Sequence, residues 1–301
     1  MNDIVRTPAD ATHVTDADEE VFLLYTRLAA TPPTEMTQGL GYVDSRSPIL
    51  NVKVELDLPG NPPASRGNRK GRSRSTKSQK RSMVIEVELA QDPTSLRSRK
   101  GDTGSVLWRV SLAFASLVLQ EYYAPPCDPL FNKDVLYQAQ VLELGSGTGL
   151  LSILFSPLVH RYTVTDIPDL IPLIRKNISM NVPITSTSNI VAQDLDWITL
   201  QSTPPALRAK AFSFGVIDLL LVVDCVYHPS LVGPLVETIR YLTTPRKTIV
   251  LVVVELRAED VVREFLEAWL RSDSRWRILS LGEQRLDSRY AMWMGQMQEE
   301  I

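Results

Sequence analysis

The chain has 301 residues, 44% of them hydrophobic, and a formal net charge of -3. This length suits one large core, or one core with a small appendage. No apolar run is long enough to span a membrane. Two isolated cysteines, Cys127 and Cys225, and three scattered histidines exclude a disulfide framework and predict no metal site. The acidic start has no apolar signal core, so we expect a soluble cytoplasmic monomer, with the nucleus as the alternative location.

Positive charge is concentrated in residues 62–82, "PPASRGNRKGRSRSTKSQKRS", which hold eight Lys or Arg residues and no acidic residue. Without those eight, the chain has 24 bases against 35 acids, a net charge of -11. The segment is rich in Ser, Pro and Gly, which predicts a disordered insertion. It could bind nucleic acid or a ribosomal surface, act as a nuclear localisation signal, or be a solvated loop. The absence of interleaved aromatic residues argues against base stacking.

The first hundred residues predict an extension before the main domain. Residues 1–20 are expected to be disordered, and residues 21–100 to form an extension that contains the basic insertion. On either side of that insertion, "LNVKVELDL" and "MVIEVELAQ" alternate apolar and polar residues. A period of two predicts strands, so we expect a β-hairpin whose tip has been expanded into a loop.

From residue 101 to the end, the pattern predicts one α/β domain. An apolar helical stretch around Leu107–Val118 comes first, and strands and helices then alternate. The predicted strands are Gln140–Leu144, Tyr162–Asp166, Ile190–Asp194, Leu219–Asp224 and Thr248–Glu255; the predicted helices are Gly149–Val159, Asp169–Met180, Ser230–Leu242 and Asp260–Arg271. Uniformly apolar strands that alternate with helices indicate a parallel sheet covered on both faces. Two final apolar runs, "RWRILSLGE" and "RYAMWMGQM", fit an antiparallel hairpin at the sheet edge.

The stretch "VLELGSGTGL", Val141–Leu150, places three alternate glycines directly after a predicted strand. Glycine costs chain entropy, so this cluster indicates a close approach of a ligand at the carboxyl edge of the sheet. A dinucleotide fingerprint would need a sixth-position glycine, where Leu150 stands, and no GK[ST] follows to make a P-loop. The observed pattern is E-x-G-x-G-x-G, with Glu143 ahead of the glycines.

This pattern resembles the first motif of S-adenosylmethionine-dependent methyltransferases. The resemblance continues with Asp166 at the end of "YTVTD", Trp197 in "QDLDW" and "VVDCVY" after the fourth strand. It implies a Rossmann-like seven-stranded sheet that is mostly parallel, with S-adenosyl-L-methionine as the cofactor. The cofactor-binding residues implied by the resemblance are Trp108, Glu143, Gly145, Ser146, Gly147, Gly149, Asp166, Trp197 and Val223. Asp166 would bind the ribose hydroxyls; alternatively, it could cap the helix that follows.

Within these enzymes the chain resembles the seven-β-strand protein-lysine methyltransferases, methyltransferase family 16. The Trp108 segment, "VLELGSGTG", "DLDW" and the D-x-x-Y set Asp224–Tyr227 carry this resemblance. It implies methyl transfer to a lysine of a ribosomal or translation-associated protein. Asp224 would then capture and orient the ammonium, while Tyr227 would line the channel and hydrogen-bond the amine.

Other activities stay open at this point. Adenine and glutamine-amide methyltransferases typically carry [DN]-P-P-[YF] after the fourth strand, and "DCVY" lacks those prolines. A small-molecule methyltransferase and a non-catalytic cofactor-binding scaffold are both compatible with the glycine motif. The two tryptophans, Trp108 and Trp197, could be ordinary core residues, and His228 could cap the next helix or touch substrate.

Overall fold

A computed structural model of the protein describes residues 3–31, 41–59, 81–94, 104–282 and 285–299. Its strands, in chain order, are β1 (Thr12–His13), β2 (Ile49–Leu58), β3 (Arg81–Ala90), β4 (Gln140–Leu144), β5 (Arg161–Asp166), β6 (Ile190–Asp194), β7 (Leu219–Val223), β8 (Ile249–Glu255), β9 (Trp276–Ser280) and β10 (Tyr290–Met297). Its helices are α1 (Ala17–Ala30), α2 (Arg109–Tyr123), α3 (Lys133–Gln138), α4 (Leu150–Phe155), α5 (Ile171–Met180), α6 (Trp197–Ser202), α7 (Pro205–Ala211), α8 (Pro229–Leu242) and α9 (Glu259–Ser272).

The main sheet has the strand order β1-β9-β10-β8-β7-β4-β5-β6. Strands β4 to β8 are parallel to one another, whereas β10 pairs with β8 and β9 in antiparallel fashion and β1 pairs with β9 in the same way. The predicted α/β class, the five parallel strands and the antiparallel hairpin are confirmed. The sheet has eight strands rather than seven, because the two-residue β1 adds to the outer edge of β9. None of the helices in the described ranges is both long and apolar enough to cross a membrane.

Helices cover both faces of the sheet, as its apolar strands require. Alternate residues of β7 and β8 face opposite sides, so each strand contributes to two hydrophobic cores. One core lies under α2, α4, α5 and the β2–β3 hairpin. The other lies under α1, α8 and α9. The carboxyl ends of the parallel strands therefore remain as the edge where polar side chains can gather.

The predicted hairpin forms a separate two-stranded sheet in which Leu58 pairs with Arg81 at the tip. The side-chain amide of Asn177 in α5 binds the backbone of its second strand as a further strand would. Asn177 accepts from the Ala90 N–H at 2.7 Å and donates to the Ala90 carbonyl at 3.0 Å. The basic insertion predicted for 62–82 lies outside the described residues, except that Arg81 and Ser82 begin β3.

The expectation of a disordered segment at 1–20 is wrong for residues 3–20. Ile4 and Val5 are buried in the core, and β1 pairs with β9. Helix α1 begins at its N-cap, Asp16, and its Glu20 accepts a hydrogen bond from Trp293 Nε1 at 2.9 Å. Asp18, Glu19 and Glu20 lie in the first turn of this helix, where carboxylates are favoured by the helix dipole. The division into an extension at 21–100 and a domain at 101–301 stays a prediction.

Candidate active site

A cavity of about 680 Å³ opens at the carboxyl edge of the sheet, beside the ends of β4, β5 and β7. The predicted site residues in its wall are Trp108, Gly145, Ser146, Gly147, Asp166, Trp197, Val223, Asp224 and Tyr227. Glu143 and Gly149 lie in the same turn region but do not line the cavity. The sequence motifs, which are spread over more than a hundred residues, thus converge on one place.

The three glycines are needed by the turn itself. All have positive φ, namely 59° for Gly145, 57° for Gly147 and 78° for Gly149, a region that residues with a Cβ rarely adopt. A Cβ at Gly147 would lie 2.9 Å from the carbonyl oxygen of Gly104, and one at Gly145 would lie 2.8 Å from Cys225 Sγ. Contact with protein, rather than only with a ligand, therefore accounts for the missing side chains.

Asp166 ties this turn to the end of β5. Its Oδ2 accepts from the Gly147 N–H at 2.8 Å and its Oδ1 accepts from the Ile167 N–H at 2.8 Å. The alternative in which it caps the next helix is not observed, because the N-cap of α5 is Leu170, without a side-chain bond. Asp166 is buried but borders the cavity, and a carboxylate is a group type that can accept hydrogen bonds from hydroxyls.

Trp197 lies beside the glycine turn at the start of α6. Asp196 is the N-cap of that helix and accepts from the Ile198 N–H at 2.9 Å. The Trp197 ring packs so close to Gly145 that a Cβ there would lie 3.0 Å from it. Its Nε1 is buried and has no hydrogen-bond partner among the described residues. A buried donor without a partner costs free energy, so this N–H is available to a polar atom of a ligand.

Glu143 lies behind the turn instead of in the cavity wall. It is 3% exposed and its Oε2 accepts from the Tyr162 hydroxyl at 2.9 Å. Burial raises the pKa of Glu143 to about 8, opposed by the Tyr162 hydrogen bond. Its expected place in direct contact with the cofactor stays a prediction, and the structure gives it a supporting position under the glycines.

Asp224 follows β7 in a left-handed backbone conformation, with φ of 59°. Its N–H still donates to the carbonyl of Val253 in β8, at 2.8 Å, so the strand pairing continues while the chain turns. The side chain is 4% exposed and lines the cavity. Oδ1 accepts from Arg257 Nη2 at 2.5 Å, whereas Oδ2 is buried without a partner in the described part of the chain. Burial raises the pKa of Asp224 to about 7, and the Arg257 guanidinium opposes that rise.

Arg257 is a residue that the sequence analysis missed. It lies two residues after β8, beside the end of β7, because parallel neighbours end at the same edge. Its guanidinium carbon lies 4.4 Å from the ring centroid of Trp108, within the range of a cation–π interaction. A charged residue two positions after the apolar strand "IVLVVVE" was the available signal. Trp108 thus contacts both the cavity and this cation.

The remaining predicted residues are where the motifs placed them. Tyr227 and Val223 line the cavity on either side of Asp224. Ser146 donates its Oγ–H to the Thr165 carbonyl at 3.0 Å, which fixes the turn against β5. His228 caps α8, because its Nδ1 accepts from the Ser230 N–H at 3.2 Å.

The fold and the site together define the class of protein: it is an α/β protein with a glycine turn and carboxylates at the edge of a mostly parallel sheet. Residues 92–271 match the family described as "Lysine methyltransferase". This match covers more than half of the chain, and the chain belongs to that family.

Among its relatives is ribosomal lysine N-methyltransferase 5 of Candida glabrata. Within the family, the motifs of this chain most resemble those of ribosomal lysine N-methyltransferase 5. The Candida glabrata protein is 26% identical over 318 residues, 84% of this chain and 88% of that protein. The chain is also 32% identical over 183 residues to a Schizosaccharomyces pombe diaminohydroxyphosphoribosylamino-pyrimidine deaminase, covering 60% of this chain and 41% of that protein. A solved structure, the N-methyltransferase NodS from Bradyrhizobium japonicum WM9, is 14% identical with a TM-score of 0.40, covering 63% of this chain and 97% of NodS.

S-adenosyl-L-methionine is the cofactor of this family, and the residues of the cavity fit it. Asp166 and Asp196 place carboxylates where ribose hydroxyls can donate. The unpartnered Trp197 Nε1 offers a donor, and the glycine turn leaves room for the ligand beside its backbone. Trp108 and Trp197 supply aromatic surface to the same cavity.

Proposed function

We propose that the protein is an S-adenosyl-L-methionine-dependent protein-lysine N-methyltransferase that acts on a ribosomal or other translation-associated protein. The carboxylate of Asp224 is the observation that carries this proposal. One of its oxygens is held by Arg257, and the other is buried at the cavity wall without a partner in the described structure. A buried acceptor of this kind is suited to an incoming ammonium or amine N–H.

When bound, S-adenosyl-L-methionine would supply a methyl group activated on a sulfonium, for which a neutral thioether is a good leaving group. The protein must hold the amine in line and let it lose a proton first, because a free lysine has a pKa near 10.4. Asp224 orients the amine through Oδ2. Tyr227 and Trp108 line the path with rings, which exclude water and favour the neutral amine.

The substrate class follows from the relatives. Ribosomal lysine N-methyltransferase 5 and the EEF1A lysine methyltransferases, such as that of Mus musculus at 32% identity over 145 residues, are named for translation proteins. The deaminase activity in the name of the fission yeast relative is not carried over, because the chain covers 41% of that protein. We further propose that the enzyme is a cytoplasmic monomer, in keeping with these substrates.

A labelling experiment tests the proposal. The protein is incubated with tritiated S-adenosyl-L-methionine and either salt-washed ribosomes or a total lysate, and label is followed into protein, RNA and small molecules. We expect label in protein, recovered as methyl-lysine after acid hydrolysis. Label confined to RNA or small molecules would contradict the assignment, and cofactor binding without any transfer would support the scaffold hypothesis.

A further inference from the structure

Arg257 connects the end of β8 to the other walls of the cavity. Its Nη2 donates to Asp224 at 2.5 Å, and its Nη1 lies 3.5 Å from Oε2 of Glu255. Its guanidinium also stacks over Trp108. The side chain is 20% exposed, so it is held at the boundary between the protein interior and the cavity rim. Asp224 and Trp108 line the cavity, so a movement of Arg257 would change two of its walls.

The two carboxylates beside Arg257, those of Asp224 and Glu255, differ in the positive groups that surround them. Glu255 is fully buried, accepts from the Gly41 N–H at 2.9 Å, and is also influenced by Arg289 and Arg109. The charged groups that act on Asp224 are Arg257 and Glu255. Arg257 is thus the cation that balances Asp224, while Glu255 has other positive groups on its side.

We propose that Arg257 is a positioning residue for methyl transfer: it fixes Oδ1 of Asp224, compensates that carboxylate's charge, and leaves Oδ2 to the substrate amine. This inference rests on the proposed lysine methyltransferase function and extends it. The division of labour between the two oxygens is the geometric basis. Asp224 cannot rotate to offer both oxygens to the substrate without giving up its ion pair.

Charge compensation resolves a conflict in the chemistry. An isolated carboxylate attracts ammonium and so raises the pKa of the lysine, which works against forming the neutral nucleophile. A carboxylate already paired with Arg257 still accepts a hydrogen bond from the amine but stabilises its positive charge less. Arg257 also favours the ionised form of Asp224 against the effect of burial. Both effects allow transfer to begin at a lower pH.

Three variants test this role. Arg257→Met keeps a long apolar stem against Trp108 but removes the charge, and Arg257→Lys keeps the charge. Arg285→Met is the matched control, because Arg285 is a 10%-exposed arginine that pairs with Glu121 at 2.8 Å and does not line the cavity. The readouts are the pH profile of methyl transfer to salt-washed ribosomes, cofactor affinity by calorimetry, and the titration of the Asp224 carboxyl by ¹³C NMR in the cofactor-free protein. Asp224→Asn identifies that resonance.

In Arg257→Met we expect the acid limb of the transfer profile and the Asp224 titration to move to higher pH by about one unit or more. Cofactor affinity should stay within about twofold of the wild-type value. In Arg257→Lys, which keeps the charge, the midpoint of the acid limb should return most of the way to that of the wild type. Arg285→Met should keep the wild-type pH profile.

If the acid limb of the transfer profile in Arg257→Met had the wild-type midpoint, whatever the transfer rate, the positioning role of Arg257 would be overturned. Loss of cofactor binding in both Arg257→Met and Arg257→Lys would overturn it too. If Arg257→Met does not fold, an unshifted profile with full activity in Arg257→Ala would do the same. Failure of the proposed function looks different, because the wild-type protein itself would then leave ribosomal protein unlabelled.

Discussion

Asp224 is the single side chain whose replacement tests the proposed chemistry most directly. Asn keeps its size and tolerates the positive φ of this position, so Asp224→Asn removes charge without straining the backbone. We expect methyl transfer to fall on the order of 100-fold, because the amine is no longer held in line. Single-turnover transfer and cofactor calorimetry, run in parallel, measure the two effects separately.

Tyr227→Phe is the comparison for that variant. The ring still lines the cavity, so we expect a smaller loss than for Asp224→Asn. Cofactor affinity should change little in either. Transfer at the wild-type rate by Asp224→Asn would contradict the interpretation of D-x-x-Y and favour a small-molecule substrate or a scaffold.

Glu143 gives a prediction about stability and pH. Its pKa rises from an ordinary value of 4.5 to about 8 on folding, chiefly through burial. The folded protein therefore binds the proton more tightly, so the stabilisation is complete below pH 4.5 and is lost as the pH rises through 8. Glu143→Gln stays neutral and can still accept from Tyr162. We expect its free energy of unfolding to decline less steeply between about pH 5 and 8, by up to about 1.4 kcal/mol per pH unit.

Urea denaturation at several pH values checks this expectation. Asp224, whose pKa is also raised by burial, is present in both proteins, so its contribution cancels in the comparison. Parallel slopes for wild type and Glu143→Gln would show that Glu143 is already ionised in the folded protein.

Single residues were predictable where position in a motif determines position in space. Asp166, Trp197 and Asp224 each follow a predicted strand, and parallel strands bring such residues to one edge. Arg257 belongs to no local motif, and its role depends on side-chain contact across two strands. Glu143 was placed in the cavity because the sequence does not show that its side chain points behind the turn, toward Tyr162.

At the scale of elements, side-chain amides attach the β2–β3 hairpin to the domain. Asn177 is fully buried. Its side-chain oxygen accepts from the Ala90 N–H, and its side-chain nitrogen donates to the carbonyls of Ala90 and Thr148. Asn177→Ala would leave these backbone groups without partners. We expect a loss of about 2–4 kcal/mol in the free energy of unfolding, measured by urea denaturation.

Gln120→Ala is the matched control for that variant. The side-chain amide of Gln120 also binds a hairpin strand: it accepts from the Asp57 N–H at 2.9 Å and donates to the Asp57 carbonyl at 2.8 Å. Unlike the bonds of Asn177 to Ala90, these two bonds are exposed. Water can replace those bonds, so the loss should stay below about 1 kcal/mol. Equal losses in the two variants would show that the Asn177 contacts do not anchor the hairpin.

Elements with a strong period were predicted almost to their ends, and those without one were missed. Strands β4 and β6 have the predicted bounds, and α8 and α9 begin one residue before the predicted starts. β1 has two residues, too few for any periodic signal, and its pairing depends on an edge that the distant β9 supplies. Helix α1 was missed because its acidic first turn resembles the composition of a disordered segment.

At the scale of the whole molecule, charge is separated between one segment and the rest. Eight bases fall within 62–82, while the remainder has a net charge of -11. The described hairpin is attached to this segment at its tip, where Leu58 pairs with Arg81. The base of the hairpin leads toward the cavity, since Gln91 accepts from the N–H of Leu107, a cavity residue. Ten residues of strand place the tip about 30 Å from that base.

This separation predicts that the basic segment is dispensable for the fold and for cofactor binding. Replacing residues 59–80 with Asn-Gly gives a two-residue turn between the paired Leu58 and Arg81, which should keep the register of the hairpin. We expect a melting temperature within a few degrees of wild type and an unchanged affinity for S-adenosyl-L-methionine, measured by calorimetry. A large drop in melting temperature would contradict this, because it would mean that the segment is packed.

Transfer to ribosomes by the deletion variant is then compared with wild type at low and at high salt. A loss of transfer confined to low salt would assign the segment to electrostatic docking of the substrate, since such attraction is screened beyond about 10 Å at 0.1 M salt. A rate that matches wild type at both salt concentrations would make the segment a solvated loop with no part in the reaction.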